Sequence, residues 1–409
     1  MAEQVYTIQE IPEGHVTTPR GFRAAGVACG IKASGAKDLA LLVSETPAVA
    51  AGVFTTNQIH AYNIDRNRRL LAERSRVRAV LVNSGNANVC TGQQEVEATE
   101  EMARLAAEAL GIAEREVLTS STGIIGVPLP VEKIRAAMPS LVARLSPEGG
   151  LEAAEAILTT DTRPKHRAVR VEVGESLFHV GGIAKGAGMI HPHLATMLAY
   201  ITTDAEVRPL LLRQWIQEIA DETFNMVTVD GDTSTSDTFL ILSNGASGVN
   251  IEEERKPEAQ ALREALLHVA QYLAREIARD GEGATKLVVV EVEGAPSKEV
   301  AKQLARTVSG SLLVRTALYG NDPNWGRIVA AAGRAGVSLE PSRLEIRLAG
   351  FPVFRGGEPQ PFDREQVRSA LAQPEVVITL ILNSGHHRAT AWSCDLTERY
   401  VRINAELTT

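Results

Sequence analysis

Four short stretches concentrate the residue types with which a protein binds anions and activates hydroxyls. They are "VNSGNANVCTG" (82–92), "TSSTGIIGVPLP" (119–130), "KGAGMIHPHLATM" (185–197) and "VDGDTSTSDT" (229–238). Glycine and small hydroxyl or amide side chains next to a strand expose backbone N–H groups, which suit a carboxylate or a developing oxyanion. Any one of these stretches alone reads as an ordinary turn. Four in one chain shift the reading toward anion chemistry. The third is the sharpest, because it ends in Ala195-Thr196. A hydroxyl nucleophile needs a base, and a threonine at the head of a chain carries its own, an α-amine of pKa about 7.7–8.0. The chain would first cut itself before Thr196, the Thr196 hydroxyl attacking the Ala195 carbonyl and water opening the ester. Nearby glycines would ease the strained geometry this needs. On spacing alone the plainer role is favoured: Thr196 capping or opening a helix over "TMLAYI".

Other chemistries fit less well. No stretch matches the phosphate loop G-x-x-x-x-G-K-[ST], and Lys185 precedes its glycines instead of following them. His191 and His193, and the pair His386-His387, raise the idea of zinc, but no ligand spacing supports it. A Ser-His-Asp hydrolase would call for a G-x-S-x-G elbow, which the sequence lacks.

The elements that must position these loops can be read from periodicity. The segment "QEVEATEEMARLAAEALG", stopping at Gly111, predicts an amphipathic helix with Met102, Leu105, Ala106, Ala109 and Leu110 inward. A longer helix is predicted from Pro257 to Asp280-Gly281, burying Leu262, Leu266, Val269, Leu273 and Ile277. Strands are predicted over 76–85, 286–294, 342–350 and 375–385, with a hairpin in 168–182 where Val169, Val171 and Val173 alternate up to Gly174. Strand, Gly-rich turn and crossover helix units of the dinucleotide-binding kind are not expected. Segments 144–154 and 243–258 read as either boundaries or surface loops.

A chain of 409 residues with 44% hydrophobic and 22% charged residues has ample material for a core. Its formal net charge of -8 argues against nucleic acid or an anionic membrane as partner. Cys29, Cys90 and Cys394 are distant and odd in number, as in a reducing compartment. The acidic start and the short apolar runs, "VVITLIL" among the longest, give no export signal or membrane span, so a cytoplasmic location is expected.

With "DGEGATK", "YGNDPNWGRIVAAAGRAG" and "WSCDLTERYVRINAELTT" added to the four loops, the sequence closely resembles the ornithine acetyltransferase (glutamate N-acetyltransferase) family. The match runs from "GFRAAGVACGIK" near residue 21 to the C terminus. The resemblance implies an α/β fold, a mixed α+β sandwich of the DmpA and ornithine acetyltransferase-like kind, shared with certain self-processing aminopeptidases. It implies autoproteolysis between Ala195 and Thr196, giving an α chain of 1–195 and a β chain of 196–409 interleaved in one catalytic body. Thr196 would be the nucleophile in a ping-pong transfer of acetyl from N-acetylornithine to glutamate, in arginine biosynthesis. Thr122 and Gly123 would form the oxyanion hole, and Thr159, Lys185, Thr196, Glu282, Asn404 and Thr409 would contact the substrates. No metal and no organic cofactor are implied, acetyl-CoA is left open as a co-substrate, and an α2β2 heterotetramer is the implied assembly. His193 and Leu194 stand where the family commonly has Asn and Met, and Leu407 where an aromatic residue is frequent. Two rivals stay open here: an N-terminal-nucleophile hydrolase, in which water is the acceptor, and an uncut amino-acid-binding protein.

Overall fold

The computed structural model describes residues 6–73, 76–191 and 197–406. Its strands run in chain order from Tyr6–Ile11 (β1), Phe22–Val27 (β2), Leu39–Phe54 (β3), Arg76–Asn86 (β4) and Val117–Ile124 (β5) to Lys165–Val173 (β6) and Ser176–Lys185 (β7). Leu198–Thr203 (β8), Glu206–Val207 (β9), Thr238–Ser243 (β10), Asn250–Ile251 (β11) and Leu287–Ala295 (β12) follow. Glu345–Leu348 (β13), Phe351–Arg355 (β14), Glu358–Pro359 (β15), Glu375–Ile381 (β16) and His387–Cys394 (β17) come last.

A nine-stranded sheet has the order β1-β6-β7-β8-β10-β3-β4-β5, with β2 paired to β3, and a six-stranded sheet has the order β15-β14-β13-β16-β12-β17. With helices packed on both, the architecture is the mixed α/β type expected. The predicted hairpin is β6 and β7, paired antiparallel across Gly174, whose φ of +56° suits a glycine turn.

The middle of the large sheet is buried on both faces. Along β8, Leu198 and Tyr200 join one apolar layer with Ile157, while Ala199 and Ile201 join another with Trp215 and Leu273. This corrects the expected helix over "TMLAYI": from Leu198 onward the segment is a strand, pairing β7 and β10. Burial on both faces removes the polar alternation that marks a strand, so a continuous apolar run looks the same as a buried helix.

The helix Pro257–Arg279 buries all five of its predicted residues. Helix Gln93–Leu110 ends as expected on Gly111 in the left-handed conformation, φ 65°. Its buried stripe, however, runs through Ala98, Met102, Ala103, Leu105, Ala106 and Ala107, leaving Ala109 exposed and Leu110 half-buried. Through this helix β4 crosses over to the parallel neighbour β5, a β-α-β unit that the sequence reading did not foresee.

Neither boundary candidate is a linker. Ser146 exchanges backbone hydrogen bonds of 3.0 and 3.1 Å with Ala24, and the Ser247 N–H donates to the Asp204 carbonyl at 2.8 Å. Among the described residues no helix is long and apolar enough to cross a membrane.

Leu273→Ala, a truncation in the layer shared by the long helix and the sheet, should cost about 2–5 kcal/mol in urea unfolding. Ala109→Gln should stay within about 0.5 kcal/mol of the parent, since the side chain faces water.

Candidate active site

Because β4 and β5 are parallel neighbours, the loops that follow them leave the sheet at the same end. Ser84 lies opposite Thr122 and Gly85 opposite Gly123. The two other glycine-rich and hydroxyl-rich stretches arrive at the same place, and together they wall a cavity of about 430 Å³. Gly85 and Ala87 come from the first stretch, Thr122 to Ile125 from the second, Lys185, Gly188 and Met189 from the third, and Ser234 to Ser236 from the fourth. Thr159, Thr160, Glu282 and Asn404 and the turn 31–34 complete the lining.

Small residues allow this convergence. Gly123 has φ +133°, and a Cβ there would fall 2.4 Å from the carbonyl carbon of Gly85 and 2.5 Å from the Asn86 nitrogen. Only glycine fits both the dihedral and the space. At Gly188 a Cβ would come within 2.3 Å of Glu282 Oε1, so the missing side chain lets that carboxylate lie against the backbone.

The cavity carries charge of both signs. Lys185, at the end of β7, is 2% exposed and donates from Nζ to Thr122 Oγ1 at 3.4 Å. A hydroxyl that accepts from an ammonium keeps its own proton for another acceptor. Burial lowers the Lys185 pKa, partly offset by the Asp161 carboxylate, with Lys165 pushing the same way as burial. Glu282 sits in the turn after the long helix, where its N–H donates to the Ala187 carbonyl at 2.8 Å. Its Oε2 accepts from Asn404 Nδ2 at 2.7 Å, which fastens the C-terminal helix Glu398–Glu406 to the cavity.

Thr122, Gly123, Thr159, Lys185, Glu282 and Asn404, scattered over the sequence, therefore share one cavity. Ala195, Thr196 and Thr409 lie outside the described residues, as do His193, Leu194 and Leu407. The chain on both sides of residues 192–196 is held by carboxylates, half-buried Asp230 before it and buried Asp237 after it. Asp230 accepts from the N–H groups of Met189 (2.6 Å) and Ile190 (2.8 Å), and Asp237 Oδ1 accepts from the Met197 N–H at 3.0 Å. Burial pushes the Asp230 carboxyl up to about 6, against the pull of those N–H groups. Asp237 rises well above its ordinary range for the same reason, despite Met197 and Lys185. His191, from the zinc reading, places Nδ1 3.2 Å from Thr228 Oγ1, and His386 and His387 do not line the cavity.

Sequence reasoning missed the group that fixes these positions. Asp161 accepts from Lys165 Nζ at 2.7 Å, from the Gly186 N–H at 2.7 Å and from the Thr159 N–H at 3.1 Å. Lys165 also donates to Asp280 at 2.7 Å, and Asp280 accepts from the Thr162 N–H at 3.0 Å and from the Thr162 hydroxyl. The side chains of Asp161 and Lys165 are 0% exposed. Burial would raise the Asp161 pKa, but the Lys165 and Lys185 ammoniums and the Gly186 N–H outweigh it and hold the carboxyl well below the usual range. The only sequence signal was composition: "TTDTRPK" and "ARDGEG" carry charges beside a strand start and a helix end.

Asp161→Asn removes the charge between two buried lysines and should cost about 3–5 kcal/mol of stability at neutral pH. A carboxyl whose folded pKa is depressed contributes stability above its unfolded pKa of about 3.9 and loses it as pH falls further. Urea midpoints measured from neutral pH down through that range should thus converge between parent and variant.

Comparison with known proteins places the chain in a family. A model of the ArgJ family matches residues 23–409. The arginine biosynthesis bifunctional protein ArgJ of Thermosynechococcus vestitus is 49% identical over 411 residues, covering 97% of this chain and 98% of that protein. The protein of the same name from Thermus thermophilus is 51% identical, covering 96% of this chain and 100% of its own length. A crystal structure of arginine biosynthesis bifunctional protein argJ from Bacillus halodurans shares 39% identity and a TM-score of 0.49, over 50% of this chain and 97% of that one. This chain therefore belongs to the ArgJ family of arginine-biosynthesis enzymes, and it is an acetyltransferase.

Proposed function

We propose that the protein moves the acetyl group of N-acetylornithine to glutamate, through an acetyl ester on Thr196. The observation that carries this reading is the single cavity in which Lys185 and Glu282 stand with Thr122 and Gly123. An N-acetylated basic amino acid presents a carboxylate, an ammonium and an amide carbonyl. The cavity offers a cation, a carboxylate and a wall of hydroxyl and backbone donors to match them.

The chain first cuts itself. The Thr196 hydroxyl attacks the Ala195 carbonyl, the amide becomes an ester, and water hydrolyses it, leaving a carboxylate on the α chain (1–195) and a free amine on Thr196 of the β chain (196–409). That amine, directly or through water, then takes the hydroxyl proton as Thr196 Oγ attacks the acetyl carbonyl. Negative charge gathers on the acetyl oxygen, where the Thr122 hydroxyl and the Gly123 N–H stabilise it. The C–N bond breaks, ornithine leaves with the proton, and Thr196 holds the acetyl group. The neutral α-amine of glutamate attacks the ester, releasing N-acetylglutamate and restoring the Thr196 hydroxyl.

In this reading Lys185 holds a substrate carboxylate and Glu282, oriented by Asn404, holds the ornithine ammonium. Thr159 and Thr409 supply further polar contacts. Nucleophile, base and oxyanion donors are sufficient for an acyl ester, so no metal or organic cofactor takes part. Acetyl-CoA as a second acetyl donor, an α2β2 assembly and a cytoplasmic location belong to the same proposal.

Denaturing mass measurement of the purified protein should give two fragments matching 1–195 and 196–409, while Thr196→Ala stays whole. One intact chain in both samples would overturn the proposal. In the mature enzyme Thr122→Val should lower kcat for acetyl transfer about 10²- to 10³-fold, the usual effect of losing one oxyanion donor.

A further inference from the structure

The cavity holds a second lysine that the donor substrate does not need. Lys32 lies on the wall formed by the turn 31–34, with its stem over the backbone of Gly85: a Cβ at Gly85 would come 3.0 Å from Lys32 Cγ. Gly85 is the register partner of Gly123, so this stem runs beside the proposed oxyanion donors. The turn is fixed by Asp38, a fully buried carboxylate that accepts from the Cys29 N–H at 2.6 Å and the Lys32 N–H at 2.9 Å. At the tip, Lys32 Nζ donates to the Lys37 carbonyl at 2.8 Å and makes no ion pair among the described residues. An ammonium has three N–H donors, so two are left for a ligand. Burial lowers the pKa of Lys32; the neighbouring Asp38 carboxylate opposes this, while the Lys185 ammonium acts with burial.

Counting charges separates the two substrates. An N-acetylated basic amino acid brings one carboxylate and one ammonium, which Lys185 and Glu282 match. An acidic acceptor brings two carboxylates, and its amine must be neutral to attack. Lys185 can answer one of these carboxylates, and the other needs a second cation at the same cavity. A lysine, with its compact charge on a flexible stem, meets a carboxylate that arrives only in the second half of the cycle.

We infer that Lys32 determines acceptor specificity, its ammonium holding the side-chain carboxylate of the acidic amino acid that takes the acetyl group. This inference rests on the acetyl-transfer reading above. It makes Lys32 a binding residue of one half-reaction, where Glu282 serves the other.

The test is two-substrate kinetics on the mature protein with Lys32→Met, Lys32→Gln and Lys32→Arg. Both neutral variants should raise KM for glutamate by about tenfold or more. KM for N-acetylornithine should stay within about twofold, and its turnover in the same samples reports an intact site. The preference for glutamate over glutamine as acceptor should fall by about tenfold in the neutral variants and recover in Lys32→Arg, a readout that a merely structural role would not move. An unchanged glutamate KM, or the two KM values rising together, would overturn the assignment of Lys32. A parent enzyme that releases no ornithine from N-acetylornithine would instead overturn the reading beneath it.

Discussion

One buried carboxylate organises the cavity. Asp161 lies out of water between two lysines, and each of its bonds fixes a different element. The Gly186 N–H places the end of β7 and with it Lys185; the Thr159 N–H places the loop before β6; Lys165 reaches on to Asp280 at the end of the long helix. Two residues further along the chain is Glu282. The position of the cation and of the carboxylate in the cavity thus follows from one ionic cluster. Such a cluster is expensive to desolvate, and its strength is that removing any member strands a charge. A site that must present opposite charges at fixed separation gains geometry from it even where the net stability is small.

Around that cluster, backbone does what side chains could not. Parallel pairing of β4 and β5 brings two glycine-bearing loops into contact, and the close approach at Gly123 leaves room for no other residue. The space opened at Gly188 lets Glu282 lie against the chain, and the space opened at Gly85 lets Lys32 cross it. Small residues here are what allow three charged side chains and a threonine hydroxyl to line one cavity.

Much of the scaffold was legible from sequence because its elements have one wet face. The helix Pro257–Arg279 showed its buried stripe directly, and the β6 and β7 hairpin showed its alternation. The strand β8 did not, because both its faces are buried and its pattern is a plain apolar run. The four loops stood out by composition, yet nothing in composition said that they meet. Glu282 and Asn404 were singled out by family resemblance, since a loop carboxylate and a tail amide have no local signature. Asp161 and Lys32 escaped both routes. Their importance comes from burial and from neighbours across a turn or on separate elements, which only the folded chain supplies.

The central claim is that the acetyl group rests on the threonine that heads residues 196–409. Mature enzyme incubated with N-acetylornithine and no acceptor, then quenched in acid, should show that fragment heavier by one acetyl group, with the modification on Thr196 and lost when glutamate is added. An unmodified fragment under conditions where ornithine is released, or an acetyl group on any other residue, would contradict the account.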